Sequence, residues 1–336
     1  MRRINMIHEL AGIMMSAFFV LCQNLSAQTL TPENQVIALR HIIEQTNNPA
    51  QQEAALKLMA NAGTYQALTY ATTLLEDEQI GQEAAKTVWT ILANHPEFNG
   101  KETRQTLDAI LPMLKGKDKK QAKAWLASAN KNEEGFVCLF NGKDLEGWKG
   151  LVENPIARAK MSKEELQKAQ EKADELMRRD WIIENGEMVY IGNGWDNICT
   201  IKDYADFELL VDWRLDPNGK EPDAGIYLRG APQVQIWDIR RTNVGAQVGS
   251  GGLYNNKQNP STPTSVEDNK LGEWNTFRII MKGEKVTVWL NGTKVVDEVV
   301  LENYWDRKLP IFPKEQIEMQ AHGSRCYFRN IYVKEL

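Results

Sequence analysis

The chain has 336 residues, enough for two domains with cores of their own, and its 42% hydrophobic and 25% charged content is that of an ordinary soluble globular protein. With a formal net charge of -5 no basic patch stands out, which argues against a nucleic-acid partner. Beyond the N-terminal segment no second long apolar run occurs, so no membrane span is expected in the mature chain.

Residues 1–27 place Arg2 and Arg3 before an apolar run from Leu10 to Leu21 and the small pair Ser26-Ala27. That is the three-part form of a secretory signal, with an apolar run too short to span a bilayer. Cleavage is expected after Ala27, with export to the periplasm or the extracellular space. Cys22 offers a lipoprotein alternative, against which stands the bulky Leu21 where a small residue is preferred. Loss of 1–27 removes two arginines and one glutamate, so the net charge moves from -5 to -6. Cys138, Cys199 and Cys326 remain; they are odd in number and widely spaced, form no metal clip, and read as free thiols.

Residues 28–131 read as a helical domain. In "TPENQVIALRHIIEQ" Thr31 is placed to cap a helix that begins with Pro32, and Val36, Leu39, Ile42 and Ile43 recur at helical spacing. Further helices are expected over 50–61, 64–76, 79–94, 101–115 and 118–129. Short helices of this kind form an α-hairpin stack similar to HEAT repeats, although no strict repeat motif occurs. His41 and His95 are isolated there, and a role in docking to a protein partner or as a spacer is the default.

From residue 132 to 336 the pattern changes to alternating strands. "IIENGEMVY" and "VTVWLNGTKVV" each set Asn-Gly between two alternating arms, which predicts hairpins at Asn185-Gly186 and Asn291-Gly292. "DFELLVDWRL" (206–215), "NTFRIIM" (275–281) and "CYFRNIYV" (326–333) predict further strands, and "GIYLRGAPQVQIWDI" (225–239) reads as two strands around a Gly-Ala-Pro turn. Many strands with few helices predict an antiparallel sandwich. One helix interrupts it over 161–180, where Ser162 and Glu165 form a capping box. That helix either walls a cleft or is a solvated decoration.

Period-2 alternation assigns side chains to faces. Tyr227 and Arg229 share one face of their strand, and Gln233, Gln235 and Trp237 share one face of the next. Glu318, Gln320 and His322 do the same in "IEMQAHG", and Glu208, Asp212 and Arg214 in "ELLVDWR". An outer sheet face is commonly polar because it meets water. Solvated faces favour Lys, Glu and Thr, however, and this mixture of amides, guanidinium, imidazole and indole suits a sugar-binding trough. Asp238 falls by strict alternation on the apolar side; either a bulge turns it into the cleft or it caps the turn into "IRRTN". His322 is the sole histidine beyond residue 131 and the best candidate for proton transfer near neutral pH.

"GFVCLFNGKDLEGW", "WIIENGEMVYIG", "DFELLVDWR", "AGIYLRG", "QVQIWD", "GEWNTFRIIMKG", "VWLNG" and "MQAHGSRCYFRNIYVKEL" together resemble the 3-keto-disaccharide hydrolase domain family, over about 135 to 336. The resemblance implies a concanavalin-like jelly roll, related in shape to laminin-G domains, acting outside the cytoplasm on glycosides already oxidised to a ketone at C3. The chain departs from the commoner pattern where Asp223-Ala224 replaces Asn-Ser and Gln233 replaces Glu.

A C3 ketone acidifies the C2 proton, so a base there permits β-elimination of the C1 leaving group, and water added to the resulting enone gives net hydrolysis. Such a site needs a base near C2, a stabiliser for the enolate oxygen and an acid for the leaving oxygen. The expected catalytic residues are His322, Asp238 and Arg229. The expected substrate-binding residues are Gln233, Gln235, Trp237, Tyr227, Glu318, Gln320 and Asp212. A divalent ion such as Ca²⁺ could polarise the ketone from Asp, Glu, Gln and backbone oxygens, with no His cluster to require one. One alternative is a non-catalytic carbohydrate-binding module. The other is a retaining glycosidase, for which the sequence lacks an E-x-D-x-x-E strand.

Overall fold

A computed structural model describes residues 30–336. The expected secretory segment, with Cys22, lies outside the described residues. The chain divides into two units between Phe136 and Val137.

The first unit is helical: α1 (Pro32–Gln45), α2 (Pro49–Ala62), α3 (Tyr65–Thr73), α4 (Gly81–Asn94), α5 (Lys101–Ile110) and α6 (Gly116–Ser128). Their starts follow from side-chain caps. Thr31 Oγ1 accepts from the Asn34 amide at 3.2 Å, Asn48 Oδ1 from Ala50 at 3.0 Å and Thr64 Oγ1 from Ala67 at 3.1 Å, each satisfying an otherwise orphaned donor. Leu56, Met59, Ile91, Leu92, Leu107 and Ile110 are fully buried between the helices. Arg104 on α5 donates to the carbonyls of Asn130, Lys131 and Glu133 at 2.9–3.1 Å, which fixes the chain after α6 against its own unit.

The second unit is a sandwich of two antiparallel sheets. The larger contains β1 (Val137–Cys138), β3 (Trp181–Glu184), β4 (Glu187–Tyr190), β6 (Phe207–Leu215), β9 (Asn275–Lys282), β10 (Lys285–Leu290), β11 (Thr293–Val300) and β13 (Cys326–Glu335). Its order is β11-β10-β9-β6-β13-β4-β3, with β1 also beside β13. The smaller contains β2 (Trp148–Gly150), β5 (Ile198–Thr200), β7 (Asp223–Leu228), β8 (Ala231–Trp237) and β12 (Glu318–Met319), in the order β2-β5-β12-β7-β8. Val211, Phe277 and Phe328 from the larger sheet and Ile226, Val234, Ile236 and Met319 from the smaller are fully buried in one core.

The two Asn-Gly hairpins form as expected, with Asn185 and Asn291 at φ of 52° and 49° ahead of their glycines. The third hairpin differs from its sequence reading. Its turn is Arg229-Gly230, at φ of 49° and 67°, and Ala231 and Pro232 already belong to β8. Arginine is unusual in the left-handed region. Here the guanidinium compensates, donating to the carbonyls of Ala205 and Phe312 and pairing with Asp206. Cys199 and Cys326 are buried free thiols and Cys138 is half-buried.

The inserted helix, α8 (Lys163–Asp180), carries the capping box in full: Glu165 N donates to Ser162 Oγ at 3.2 Å and Ser162 N to Glu165 Oε2 at 2.8 Å. It is no solvated decoration. Gly150 of β2 donates to Asp174 Oδ1 at 2.9 Å and accepts from Gln170 Nε2 at 2.8 Å. A Cβ on Gly150 would lie 2.1 Å from the Ala173 carbonyl oxygen. Gly150→Ala is therefore expected to force α8 off β2 and cost about 1–3 kcal/mol of stability, the usual penalty of overpacking. Chemical denaturation checks this, and an unchanged midpoint would mean that the helix does not seat there.

Candidate active site

Three rows of side chains stand on the outer face of the smaller sheet, because β7, β8 and β12 pair in a register that stacks their outward positions. In the first row Glu318 lies opposite Tyr227 on one side and Cys199 on the other. In the second, Gln320 N donates to the Gly225 carbonyl at 2.9 Å, and Gly225 lies opposite Gln235. In the third, Asp223 lies opposite Trp237, and His322 Nδ1 stands 3.8 Å from Asp223 Oδ2.

Gly225 makes the second row possible. A Cβ there would meet the Gln233 carboxamide at 2.9 Å and Gln320 Oε1 at 3.0 Å, so both side chains lie over bare backbone. Gln233 Nε2 donates to Gln235 Oε1. Gln235 Nε2 in turn donates to Asp223 Oδ1 at 2.7 Å and to the carbonyls of Ala224 and Ile236 at 3.2 and 3.0 Å. The two amides form a relay that ends on the carboxyl. From the other side Arg241 Nη1 approaches Asp223 Oδ2 at 3.4 Å, and Arg241 Nη2 lies 3.7 Å from Glu221.

Burial dominates the electrostatics. Asp223 is pushed up to about 7 by desolvation, against the opposing hydrogen bond from Gln235 and the charge of Arg241. Glu318 is pushed up to about 8 by desolvation, with Arg158 opposing. His322 is lowered by desolvation and then by Arg241. Near pH 7 this face thus holds a protonated Glu318 in its first row and, in its third, a neutral His322 and an Asp223 that keeps a share of its proton. Glu318 Oε2, Gln320 Oε1 and His322 Nδ1 are three of the eight buried side-chain polar atoms that lack a hydrogen-bond partner among the described residues. Orphaned polar atoms are costly in a protein interior, and three within five residues of one segment, all on one face, mark a place where a polar ligand completes the bonding.

Tyr227, Gln233, Gln235, Trp237, Glu318, Gln320 and His322 therefore share one surface. Three other expected site residues do not. Arg229 sits in the β7–β8 turn, four residues beyond Gly225, and spends its guanidinium on Ala205, Asp206 and Phe312. Asp212 lies on β6 of the larger sheet, on the opposite outer surface of the sandwich together with Glu208 and Arg214, and accepts from Asn330 Nδ2 at 2.6 Å and Arg329 Nε at 3.4 Å. Asp238 adopts the capping alternative: its Oδ1 accepts from the Arg240 amide at 3.1 Å and its carboxylate takes the Arg240 guanidinium at 2.9 and 3.0 Å. Those bonds outweigh burial and hold its pKa down. Asp238 lines a cavity of about 370 Å³ with Trp213, Leu215, Asp268 and Leu271, which includes none of Asp223, Gln235, Glu318 or His322. Asp223 and Arg241, which are not among the expected residues, stand on this face beside His322. Among the described residues no group of three or more His, Cys, Asp or Glu is gathered so as to hold a metal ion, so no step is assigned to a divalent ion here.

Among curated proteins the chain is similar to a 3-keto-disaccharide hydrolase of Bacteroides thetaiotaomicron, 23% identical over 257 residues that span 60% of this chain and 79% of that protein. Among solved structures it is similar to a candidate glycosyl hydrolase from Parabacteroides distasonis, at 23% identity and a TM-score of 0.43 over 60% of this chain and 94% of that one. A carbohydrate binding module, CBM66 from Bacillus subtilis, follows at 10% identity and a TM-score of 0.34 over 56% and 96% of the two chains. The model of the 3-keto-alpha-glucoside-1,2-lyase-like domain matches residues 135–334, more than half of the chain, and the protein belongs to that family.

Proposed function

We propose that this protein cleaves 3-keto-α-glycosides on the outer face of its smaller sheet, by proton abstraction at C2 and elimination at C1 followed by addition of water. The observation that carries the reading is the pair formed by His322 and Asp223, 3.8 Å apart and not hydrogen-bonded to each other, with their proton affinities moved toward one another. His322, neutral at pH 7, takes the C2 proton on its imidazole, through the nitrogen that does not face Asp223. The electrons form the C1–C2 double bond as the C1–O bond breaks, and protonated Asp223 gives its proton to the leaving oxygen. The charge of Arg241 favours the enolate that develops at the ketone oxygen. In the second half Asp223, now a carboxylate, takes a proton from water as its oxygen adds to C1, and the imidazolium returns the first proton to C2. The secretory reading of residues 1–27 places this reaction outside the cytoplasm.

The retaining-glycosidase alternative fits the site less well. It needs two carboxylates about 5 Å apart, one of them ionised. Asp223 and Glu318 stand two rows apart, roughly 13 Å along the strands from the register of Tyr227, and both hold protons readily near pH 7. The binding-module alternative is separated by turnover.

Wild-type protein given a 3-keto-α-glucoside and the corresponding unoxidised glucoside is expected to release the leaving group from the ketone alone. His322→Ala is expected to lower that rate at least about 100-fold, as loss of a general base does. Tight binding of both sugars without release would instead establish a lectin-like module. The alkaline limb of kcat/KM is expected near pH 7, where Asp223 loses its proton.

Asp223 also tests the site without substrate. Its folded pKa is raised, so the native state binds the proton more tightly than the unfolded chain, and the associated stability is present below the ordinary carboxyl value of 3.8 and is lost as pH rises to about 7. Asp223→Asn keeps an acceptor for Gln235 and has nothing to ionise. Relative to wild type it is expected to gain at least about 1 kcal/mol between pH 4 and pH 8, the equivalent of one pKa unit. Denaturation at several pH values reads the difference; a constant offset would mean that Asp223 titrates normally.

A further inference from the structure

We propose that Trp195 is the stacking platform for the keto-sugar ring, a role that rests on the reading of the site above and extends it to substrate recognition. Trp195 is the most exposed of the large hydrophobic side chains among the described residues, at 63%. Its indole makes a T-shaped contact with the His322 imidazole, with ring centroids 4.8 Å apart and planes at 89°. Most of the indole surface is left open to solvent beside the imidazole that takes the C2 proton.

Exposure alone would mean little, since single exposed apolar residues are common. The segment that carries Trp195 is, however, tied down on both sides. Asn193 Nδ2 donates to Asp180 Oδ1 at 3.0 Å, and Asp180 is fully buried at the end of α8. The Gly194 carbonyl accepts from Tyr190 Oη at 2.5 Å, and the Asp196 carbonyl accepts from Trp181 Nε1 at 3.0 Å. Asn197 Oδ1 accepts from Ala321 N at 2.9 Å, directly before His322, and the Asn197 carbonyl accepts from Leu151 N at 3.0 Å. The two residues on each side of Trp195 spend polar groups on neighbouring elements, yet none of these bonds buries the indole. A large apolar ring held rigid in water beside a general base is an arrangement that a ligand completes. The C–H faces of a pyranose supply the matching apolar surface, while its hydroxyls point toward the neighbouring row, where Gln320 Oε1 lacks a partner. The rigidity lowers the ordering cost of binding.

The test uses the full chain and two probes that lack any aromatic aglycone, methyl 3-keto-α-glucoside and methyl α-glucoside, so that any dependence on Trp195 comes from the sugar ring. Binding is measured by calorimetry in the His322→Ala background, which separates it from turnover, and rates are measured with His322 present. Trp195→Ala is expected to weaken binding of the keto-glucoside about tenfold, within the range of aromatic contacts, with the loss falling on KM more than on kcat. Trp195→Phe is expected to restore most of it. Unchanged affinity in Trp195→Ala overturns the proposal while leaving the function standing if the wild type turns over the ketone. If the only effect is a shift of the acid limb of kcat/KM toward the ordinary imidazole value, Trp195 merely shields His322 and the proposal falls. Binding that depends on Trp195 in a protein without turnover would sustain the platform and sink the proposed reaction. Absence of binding to either sugar overturns both.

Discussion

The carboxyl of Asp223 depends on a hydrogen bond that reaches it from within its own sheet. Gln235 spans from the neighbouring strand to hold one oxygen, and Gln235 is itself oriented by Gln233. Gln233 could not lie flat on the sheet, nor Gln320 beside it, if residue 225 had a Cβ. The absence of one side chain therefore sets the geometry of three others. The second carboxyl oxygen faces His322 and Arg241, a potential proton acceptor and a fixed positive charge. A charged partner and a donor normally depress a carboxyl; here desolvation exceeds both, which is why the group titrates near neutrality.

That desolvation has a structural origin. The outer face of a two-layer sandwich is ordinarily wet, yet every residue of β8 is buried and Glu318 is 1% exposed. Segments outside the strands flank this sheet. The stretch before α8 contributes the buried Val152 and Pro155. Arg158 on the short helix Pro155–Arg158 bonds Glu315 at 2.8 Å. Along the outer edge of β8 the loop at Gly251-Gly252 exchanges backbone hydrogen bonds with Gln235. The burial of the outward residues, rather than any one charge, is what raises Asp223 and Glu318.

Much of this was legible in the sequence, and the failures share a cause. Asn-Gly turns, the capping box at Ser162 and the outward set Tyr227, Gln233, Gln235, Glu318, Gln320 and His322 all follow from local periodicity and turn chemistry. Alternation says which residues of one strand share a face. It does not say to which sheet the strand belongs, and so Asp212 was grouped with residues on the far side of the sandwich. Arg229 was misplaced because Gly-Ala-Pro looks like a turn, whereas the chain reverses one residue earlier and forces an arginine to positive φ. Asp223 was visible only as a departure, an aspartate where the family commonly has asparagine. Arg241 gave no local signal at all, since it reaches the site from an irregular segment after β8.

The departure at Asp223 bears on how the chemistry is divided. An asparagine at that position would accept the hydrogen bond of Gln235 but could neither give up nor take a proton, so the burden of proton transfer would rest on other groups. With aspartate, one buried carboxyl titrating near 7 lies beside an imidazole whose affinity is lowered. Burial moves the two affinities in opposite directions, up for the carboxyl and down for the imidazole, so that near neutral pH the carboxyl can give a proton while the imidazole takes one. Gln233, where the family commonly has glutamate, fits the same arrangement. A glutamate there would set a second negative charge against the Gln235–Asp223 relay and push Asp223 further toward the protonated form. A neutral amide donates to Gln235 instead, and leaves Asp223 able to ionise within the working range of pH.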